Sequence, residues 1–185
     1  MNKVQKFVLI KITMAITFSM VLTIGNPAAF GIEYTNEKCG ISIPYQKDWQ
    51  VENNDYKAEN LKSIITITPD PDDVLTQIYI NIWDISHHGE KTIEYVSKIF
   101  TPVDSEEEIK TEVIQDNIIH VGDFSAQKLA YNDEFEGFKS YIMYINILAY
   151  DKVYQIELLA ENQNKFDKYV PLVEELANSI KISKP

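Results

Sequence analysis

The sequence contains no arginine: all 17 of its basic residues are lysines, set against 28 aspartates and glutamates. The planar guanidinium fork that binds phosphate, carboxylate or guanine through two hydrogen bonds is therefore missing. With a formal net charge of −11, the chain also lacks the basic surface that nucleic acid requires. An anionic membrane surface would repel it for the same reason. Composition thus argues against nucleic acid and anionic lipid as primary partners.

Only one cysteine, Cys39, is present, which rules out an intramolecular disulfide and a cysteine-based zinc site. The residues before it lack the small side chains that precede a lipid-attached cysteine. Catalytic signatures are also missing, namely Gly-x-Ser-x-Gly, a phosphate-binding glycine-rich loop and a cysteine–histidine pair. Ser125-x-x-Lys128 falls in a predicted strand, where positions three apart face opposite sides of the sheet. We therefore expect a domain that is not an enzyme.

The first 31 residues have the pattern of a secretory signal peptide. Lysines at positions 3, 6 and 11 precede an apolar segment over 12–25, and small residues follow up to Gly31. This segment of 14 residues is shorter than the roughly 20 that span a bilayer. We predict a signal peptide over 1–31 and a single domain over 32–185, with an uncleaved N-terminal anchor as the alternative. Cleavage leaves 14 lysines and a net charge of −14, and both alternatives place the domain outside the cytoplasm.

The rest of the chain combines strand and helix patterns. The predicted strand 77–85 has isoleucines at alternate positions on one face, and Tyr79, Asn81 and Trp83 on the other. A two-residue turn at Asp151-Lys152 and a kink or restart of the closing helix at Pro171 are predicted. Hairpin-connected strands with few helices predict an α+β fold, an antiparallel sheet flanked by helices. The predicted strands cover 40–45, 63–68, 77–85, 111–121, 127–131, 138–150 and 153–160, and the predicted helices cover 92–100 and 164–180.

Four stretches, spread over nearly all of residues 33–182, resemble the PsbP family in order and spacing. They are the strand Gly40–Tyr45 followed by Asp48-Trp49; the strand Ile78–Ile82 before a helix; Gly122 with Ser125, Ala126 and Leu129; and the closing Asn178–Ile182. The resemblance implies a PsbP-like α/β/α sandwich. That family includes extrinsic proteins of photosystem II, which bind at the lumenal membrane face and help to retain calcium and chloride. It therefore implies an accessory or binding module, with an extracytoplasmic membrane complex as its partner.

One short loop carries the candidate metal site. Asp84, His87, His88 and Glu90 supply two imidazoles and two carboxylates, which suit divalent transition metals. An exposed polar loop is the alternative interpretation of the same residues. A divalent cation is therefore the one cofactor that the sequence suggests. The aspartates at 70, 72 and 73 are a weaker candidate site, for calcium. The prolines at 69 and 71 already explain this segment as a turn.

Aromatic residues give a second candidate site. Tyr79, Trp83, Tyr141 and Tyr150 either line a ligand groove or pack the sheet against a helix. The function classes that remain are a non-catalytic binding or accessory module, a carrier of a small ligand or divalent metal, and a hydrolase whose site has no recognisable signature.

Overall fold

Ten strands and two helices follow one another in the computed structural model, which describes residues 30–54, 56–102 and 109–184. Nearly all of the predicted signal peptide lies outside the described residues. The elements are β1 (Ile32–Asn36), β2 (Ile41–Tyr45), β3 (Gln50–Asn53), β4 (Leu61–Thr68), β5 (Gln77–Asp84), α1 (Ile93–Phe100), β6 (Ile109–Val121), β7 (Phe124–Phe135), β8 (Phe138–Ala149), β9 (Lys152–Ala160), α2 (Gln163–Ser179) and β10 (Lys181–Ile182).

The strands form two antiparallel sheets. The larger has seven strands in the order β3-β4-β5-β9-β8-β7-β6, and the smaller has three in the order β1-β2-β10. The α+β class and the antiparallel sheet are thus as predicted. Strands dominate the structure, however, and one of the two helices has only eight residues, so the helices do not form full layers on the sheet.

One face of the large sheet carries the main hydrophobic core. Side chains alternate between the faces of a strand, so residues paired across neighbouring strands form rows on the same face. The central row on this face consists of Ile65, Ile80, Ile156 and Ile145 on β4, β5, β9 and β8, each at most 1% exposed. Helix α2 and the small sheet cover this row and its neighbours.

Tyr154 joins the small sheet to the large one. Its ring is fully buried on β9, and its hydroxyl donates to the backbone oxygen of Cys39 at 2.9 Å. Burial raises the pKa of Tyr154 to about 12. The residue therefore stays protonated at physiological pH and keeps this hydrogen bond.

Helix α2 begins at the Asn162 cap, whose side-chain oxygen accepts from the Lys165 backbone at 3.0 Å. The helix continues through Pro171 as one element, so of the predicted kink or restart the restart is wrong. Proline removes one intrahelical hydrogen bond. The apolar stripe is buried before this position at Phe166 and Tyr169 and after it at Val173 and Leu176, and that burial holds the segment in one helix.

The β8–β9 hairpin turns one residue earlier than predicted. Ala149 pairs with Lys152, which leaves Tyr150 and Asp151 as the two turn residues, both with positive φ (50° and 62°). Positive φ at both positions is the type I′ geometry that two-residue hairpins favour. The Tyr150 ring also packs edge-to-face on Phe124, at 5.6 Å between centroids, which fixes the turn at this position.

Helix α1 lies on the opposite face of the large sheet. The Thr92 side chain caps it by accepting from the Tyr95 backbone at 3.2 Å. Ile93 and Val96 pack with Val153 of β9 in a small separate core. Because α1 is only two turns long, it covers part of this face and leaves the centre of the sheet open. Among the described residues, no helix is long and apolar enough to cross a membrane.

Candidate functional site

A cavity of about 670 Å³ opens where α1 ends above the large sheet. Its volume falls in the range of small-molecule sites. The walls come from β4, β5, β7, β8, β9 and the C-terminal end of α1. Described residues that line it include the aromatic side chains Trp83, Phe100, Tyr131 and Tyr144, the carboxamides Asn81 and Gln155, and the carboxylates Asp84 and Glu157.

Glu157 is the unusual residue in this wall. It lies on β9, paired with Tyr79 of β5 on one side and Tyr144 of β8 on the other. The Asn81 amide nitrogen donates to its Oε2 at 3.5 Å. No ion pair between described residues includes Glu157. Burial raises the pKa of this carboxyl group above its usual range.

The two tyrosines beside Glu157 are paired with each other. The Tyr131 hydroxyl donates to that of Tyr144 at 3.1 Å, and the two rings lie 5.8 Å apart. Burial raises the pKa of both hydroxyls, and the negative charge of Glu157 adds to the effect. Both therefore stay neutral at physiological pH. They supply aromatic surface and hydrogen bonds to the cavity, not a titrating group.

A row of carboxamides crosses four strands beneath the cavity and α1. Asn81 donates to Gln155 at 3.3 Å, Gln155 to Asn146 at 3.0 Å, and Asn146 to Gln127 at 3.1 Å. The four residues are paired in register on β5, β9, β8 and β7 and are almost completely buried. Each amide nitrogen donates to the amide oxygen of the next residue. These hydrogen bonds satisfy polar groups in the interior, where an unpaired amide is costly.

The carboxamide row ends on a carboxylate that also holds α1. Gln127 donates to Asp116 of β6 at 2.8 Å, and the Thr101 hydroxyl lies 3.1 Å from the same carboxylate. Thr101 is the C-cap of α1. At the other end, the Trp83 indole nitrogen donates to Gln155 at 3.2 Å. The row therefore fixes both the indole wall and the helical wall of the cavity.

The four residues of the predicted metal site do not converge. Asp84 accepts from the Ser86 backbone at 2.8 Å, and the hydrogen bonds from Ser86 hold its pKa below the usual range. The His88 ring lies against Tyr95, with Nδ1 2.6 Å from the hydroxyl. Glu90 accepts from the Thr92 hydroxyl at 3.2 Å. Asp84 and His88 line the cavity, whereas His87 and Glu90 are not among its lining residues.

Within the described ranges, no group of three or more histidine, cysteine, aspartate or glutamate side chains is placed to hold a metal ion. The metal site therefore stays a prediction for titration to test. The weaker calcium candidate forms other contacts: Asp73 pairs with Lys165 at 2.9 Å, and the Asp70 carboxylate accepts from the backbone of Asp72 at 3.1 Å.

The aromatic candidates divide between the two interpretations. Trp83 lines the cavity, whereas Tyr141 packs against Phe166 of α2 and Tyr150 against Phe124. The sequence analysis missed the three residues that define the site, Tyr131, Tyr144 and Glu157. The available signal was the acidic residue at position 157 in a mostly apolar strand, on the face opposite Tyr154, Ile156 and Leu158.

Comparison with known proteins gives structural matches only. No protein-family model and no curated protein sequence matches the chain. A solution structure of cyanobacterial PsbP from Synechocystis matches with a TM-score of 0.60 and 14% identity, over 82% of this chain and 92% of that one. LpqN of Mycobacterium tuberculosis, described as involved in cell envelope biogenesis, matches with a TM-score of 0.55 and 15% identity, over 78% and 83%.

A crystal structure from Bacteroides thetaiotaomicron also matches, with a TM-score of 0.54 and 12% identity, over 84% of this chain and 49% of that one. Identities this low carry information about the fold and not about the ligand or partner. On this ground the chain has the PsbP-like fold, as expected, but strands dominate it and the expected sandwich of helix layers around the sheet is not clearly formed.

Proposed function

We propose that this chain is a non-catalytic binding module, exported from the cytoplasm, whose cavity takes a small organic cation. One observation carries the proposal. The carboxylate of Glu157 is half-buried in the cavity wall, and no cation of the described chain pairs with it. The predicted signal peptide supports the export.

A buried carboxylate without a counter-charge is unfavourable, because it loses hydration and gains no partner. A bound cation would offset that loss. The described lining contains two carboxylates and no lysine, so the charge at the wall is negative. Aromatic faces stabilise an ammonium group through cation–π interactions, which are strongest with tryptophan. Trp83, Phe100 and Tyr131 place such rings in the same wall.

The non-catalytic part of the proposal is supported by how the polar groups of the wall are engaged. The Thr101 hydroxyl is hydrogen-bonded to the Ser97 carbonyl oxygen at 2.7 Å, as part of the helix end. The buried tyrosine hydroxyls bond to each other, and the His88 ring bonds to Tyr95 outside the cavity lining. These contacts engage the hydroxyls and the imidazole of the wall in holding the shape of the cavity.

Calorimetric titration with choline and with its neutral carbon isostere 3,3-dimethylbutanol tests this proposal. We expect choline to bind and the isostere to bind more weakly, because only choline offers a charge to Glu157 and the rings. Glu157→Gln should weaken choline binding at least tenfold, which corresponds to about 1.4 kcal/mol. Asp84→Asn is the matched control, since Asp84 already accepts from Ser86. Equal affinity for the two compounds, or equal losses in the two variants, would contradict the proposal.

The pH dependence of choline affinity gives a second readout of the same site. Choline keeps its charge at every pH, so only the protein titrates. Because burial raises the pKa of Glu157, affinity should fall as the pH falls through that raised value, as the carboxyl group becomes neutral. In the absence of ligand, Glu157→Gln should be more stable than the wild type at pH 7, and this gap should close below about pH 4, where both states are protonated.

A second candidate function, the accessory role in a membrane complex that the resemblance implies, is favoured by a separate observation. Strand β6 lies at the edge of the seven-stranded sheet and exposes Val113, Ile114 and Ile118, each close to half exposed. An exposed edge of 13 residues is able to pair with an extended segment of another protein. The partner would therefore contribute an apolar strand to this edge.

Photo-cross-linking in intact cells tests the accessory role. A photoreactive residue in place of Asn117 on β6 should give a discrete adduct, and the same residue in place of Val74, in an exposed loop, should not. Ile118→Lys should abolish the adduct, because a lysine ammonium cannot be buried against an apolar strand. An identical adduct from both positions, or no adduct from Asn117, would count against an edge-docking role.

A further inference from the structure

Four lysines gather around a second cavity, although the protein is strongly acidic. The cavity has a volume of about 270 Å³ and lies where the small sheet meets the start of β4. Lys38 comes from the β1–β2 turn, Lys57 from the loop before β4, Lys62 from β4 and Lys152 from β9. No ion pair between described residues includes any of the four.

Two of these lysines lie directly opposite each other. Lys57 and Lys62 form an isolated antiparallel bridge. Like charges in directly opposed positions destabilise a strand pair. The Lys62 ammonium donates to the sulfur of Cys39 at 3.0 Å, a contact that carries no full counter-charge. The described part of the chain thus creates a repulsion between cations that it does not neutralise through an ion pair.

Two carboxylates, Glu59 and Asp84, also line this cavity. Asp84 accepts from the Ser86 backbone, and Lys152 contributes to the lowering of its pKa only as a more distant charge. Neither acid is within ion-pair distance of the four lysines. The lining therefore has four cationic and two anionic side chains, whereas in the whole chain the acidic residues outnumber the lysines.

We propose that this cavity binds a compact oxyanion, of the kind that a phosphate group presents. A lysine ammonium acts as a point charge with three donors, and several of them surround a small tetrahedral anion well without the planar fork of arginine. An anion between Lys57 and Lys62 would remove their repulsion. The volume of about 270 Å³ has room for an anion of this size together with water. The two cavities share Asp84, but the four lysines line only this cavity and Glu157 lines only the other, so the proposal is independent of the proposed function.

Titration of inorganic phosphate into the full protein at constant ionic strength tests the proposal. We expect saturable binding with a Kd on the order of 1 mM, since the net negative charge of the protein works against any anion. Lys57→Ala/Lys62→Ala should weaken it at least tenfold. The matched control is Lys98→Ala/Lys110→Ala, which removes the same charge from exposed positions outside the cavity. Equal losses in both variants, or no binding by the wild type, would overturn the proposal.

Two further arms of the experiment distinguish the source of the phosphate group and guard against misfolding. Titrations with glycerol phosphate in solution and with phosphatidylglycerol vesicles compare a free phosphate group with a lipid headgroup. If the protein binds either one and Lys57→Ala/Lys62→Ala loses that binding, the result supports the site. Phosphate should raise the melting temperature of the wild type but not of this variant. Without phosphate, the melting temperature of the variant should be no lower than that of the wild type, because the loss of the two lysine charges removes a repulsion. A lower melting temperature would show that the two lysines stabilise the fold by themselves and would overturn the argument.

Discussion

Replacing Asn146 with leucine should lower the free energy of unfolding by about 3 kcal/mol. Asn146 is fully buried in the middle of the carboxamide row, where it accepts from Gln155 and donates to Gln127. Leucine can do neither. The substitution would leave a buried amide N–H on one neighbour and a buried amide oxygen on the other, each at a cost of about 1–3 kcal/mol. The larger volume of the leucine side chain adds strain to a packed site.

Urea denaturation followed by circular dichroism measures this loss as a lower midpoint at an unchanged slope. Asn117→Leu is the control, since Asn117 is exposed on β6 and should change stability by less than about 0.5 kcal/mol. A double substitution of Asn146 and Gln127 to leucine should cost clearly less than the sum of the two single losses, because the same hydrogen bond is removed in each. Additive losses would show that the row does not act as a connected network.

Replacing Ile156 with alanine should cost about 3–4 kcal/mol of stability, the cost typical of a large cavity in a core that cannot collapse. Ile156 is completely buried at the centre of the isoleucine row, between Ile80 and Ile145 on the adjacent strands. Strands on both sides and α2 above restrict how far the surroundings can close over the gap. The loss of van der Waals contacts around the cavity therefore adds to the loss of hydrophobic transfer free energy from the removed atoms.

The same denaturation experiment with Ile118→Ala gives a chemically matched comparison. Ile118 lies on the edge strand β6 and is 51% exposed, so the same truncation there should cost less than about 0.5 kcal/mol. Comparable losses at positions 118 and 156 would mean that the core is not located on the α2 face. A loss of stability confined to Ile156→Ala would confirm that the core lies on the α2 face.

The substitutions of Asn146 and Ile156 test two rows of side chains that occupy neighbouring positions on β9 and have opposite surroundings. Gln155 belongs to the carboxamide row under the cavity, and Ile156 belongs to the isoleucine row under α2. Successive residues of a strand face opposite sides, so a slip of one residue would bring the amides into the core and the isoleucines into the cavity. The two rows consequently specify one register across at least four strands.

Local pattern was sufficient to predict much of the fold. The alternation around Ile78 and Ile80 predicted both the strand β5 and which of its residues share a face, and the pattern over 92–100 predicted α1. The resemblance of four stretches to the PsbP family implied the PsbP-like fold. The prediction was wrong where neighbouring turn positions are similar in energy. At the β8–β9 hairpin, the position of the turn depends on the packing of Tyr150 against Phe124, which comes from another strand.

The sequence by itself therefore determined the acidic charge, the α+β class and the faces of individual strands, because each depends on composition or on residues a few positions apart. Only the tertiary structure decided the candidate sites. Asn81 and Gln155 are 74 positions apart in sequence, and Tyr131 and Glu157 come from strands that are not adjacent in the sheet. Lys38 and Lys152 likewise meet at one cavity only because two sheets pack together. Strand register and sheet packing bring such residues together, and no periodicity within a single strand or helix encodes that pairing.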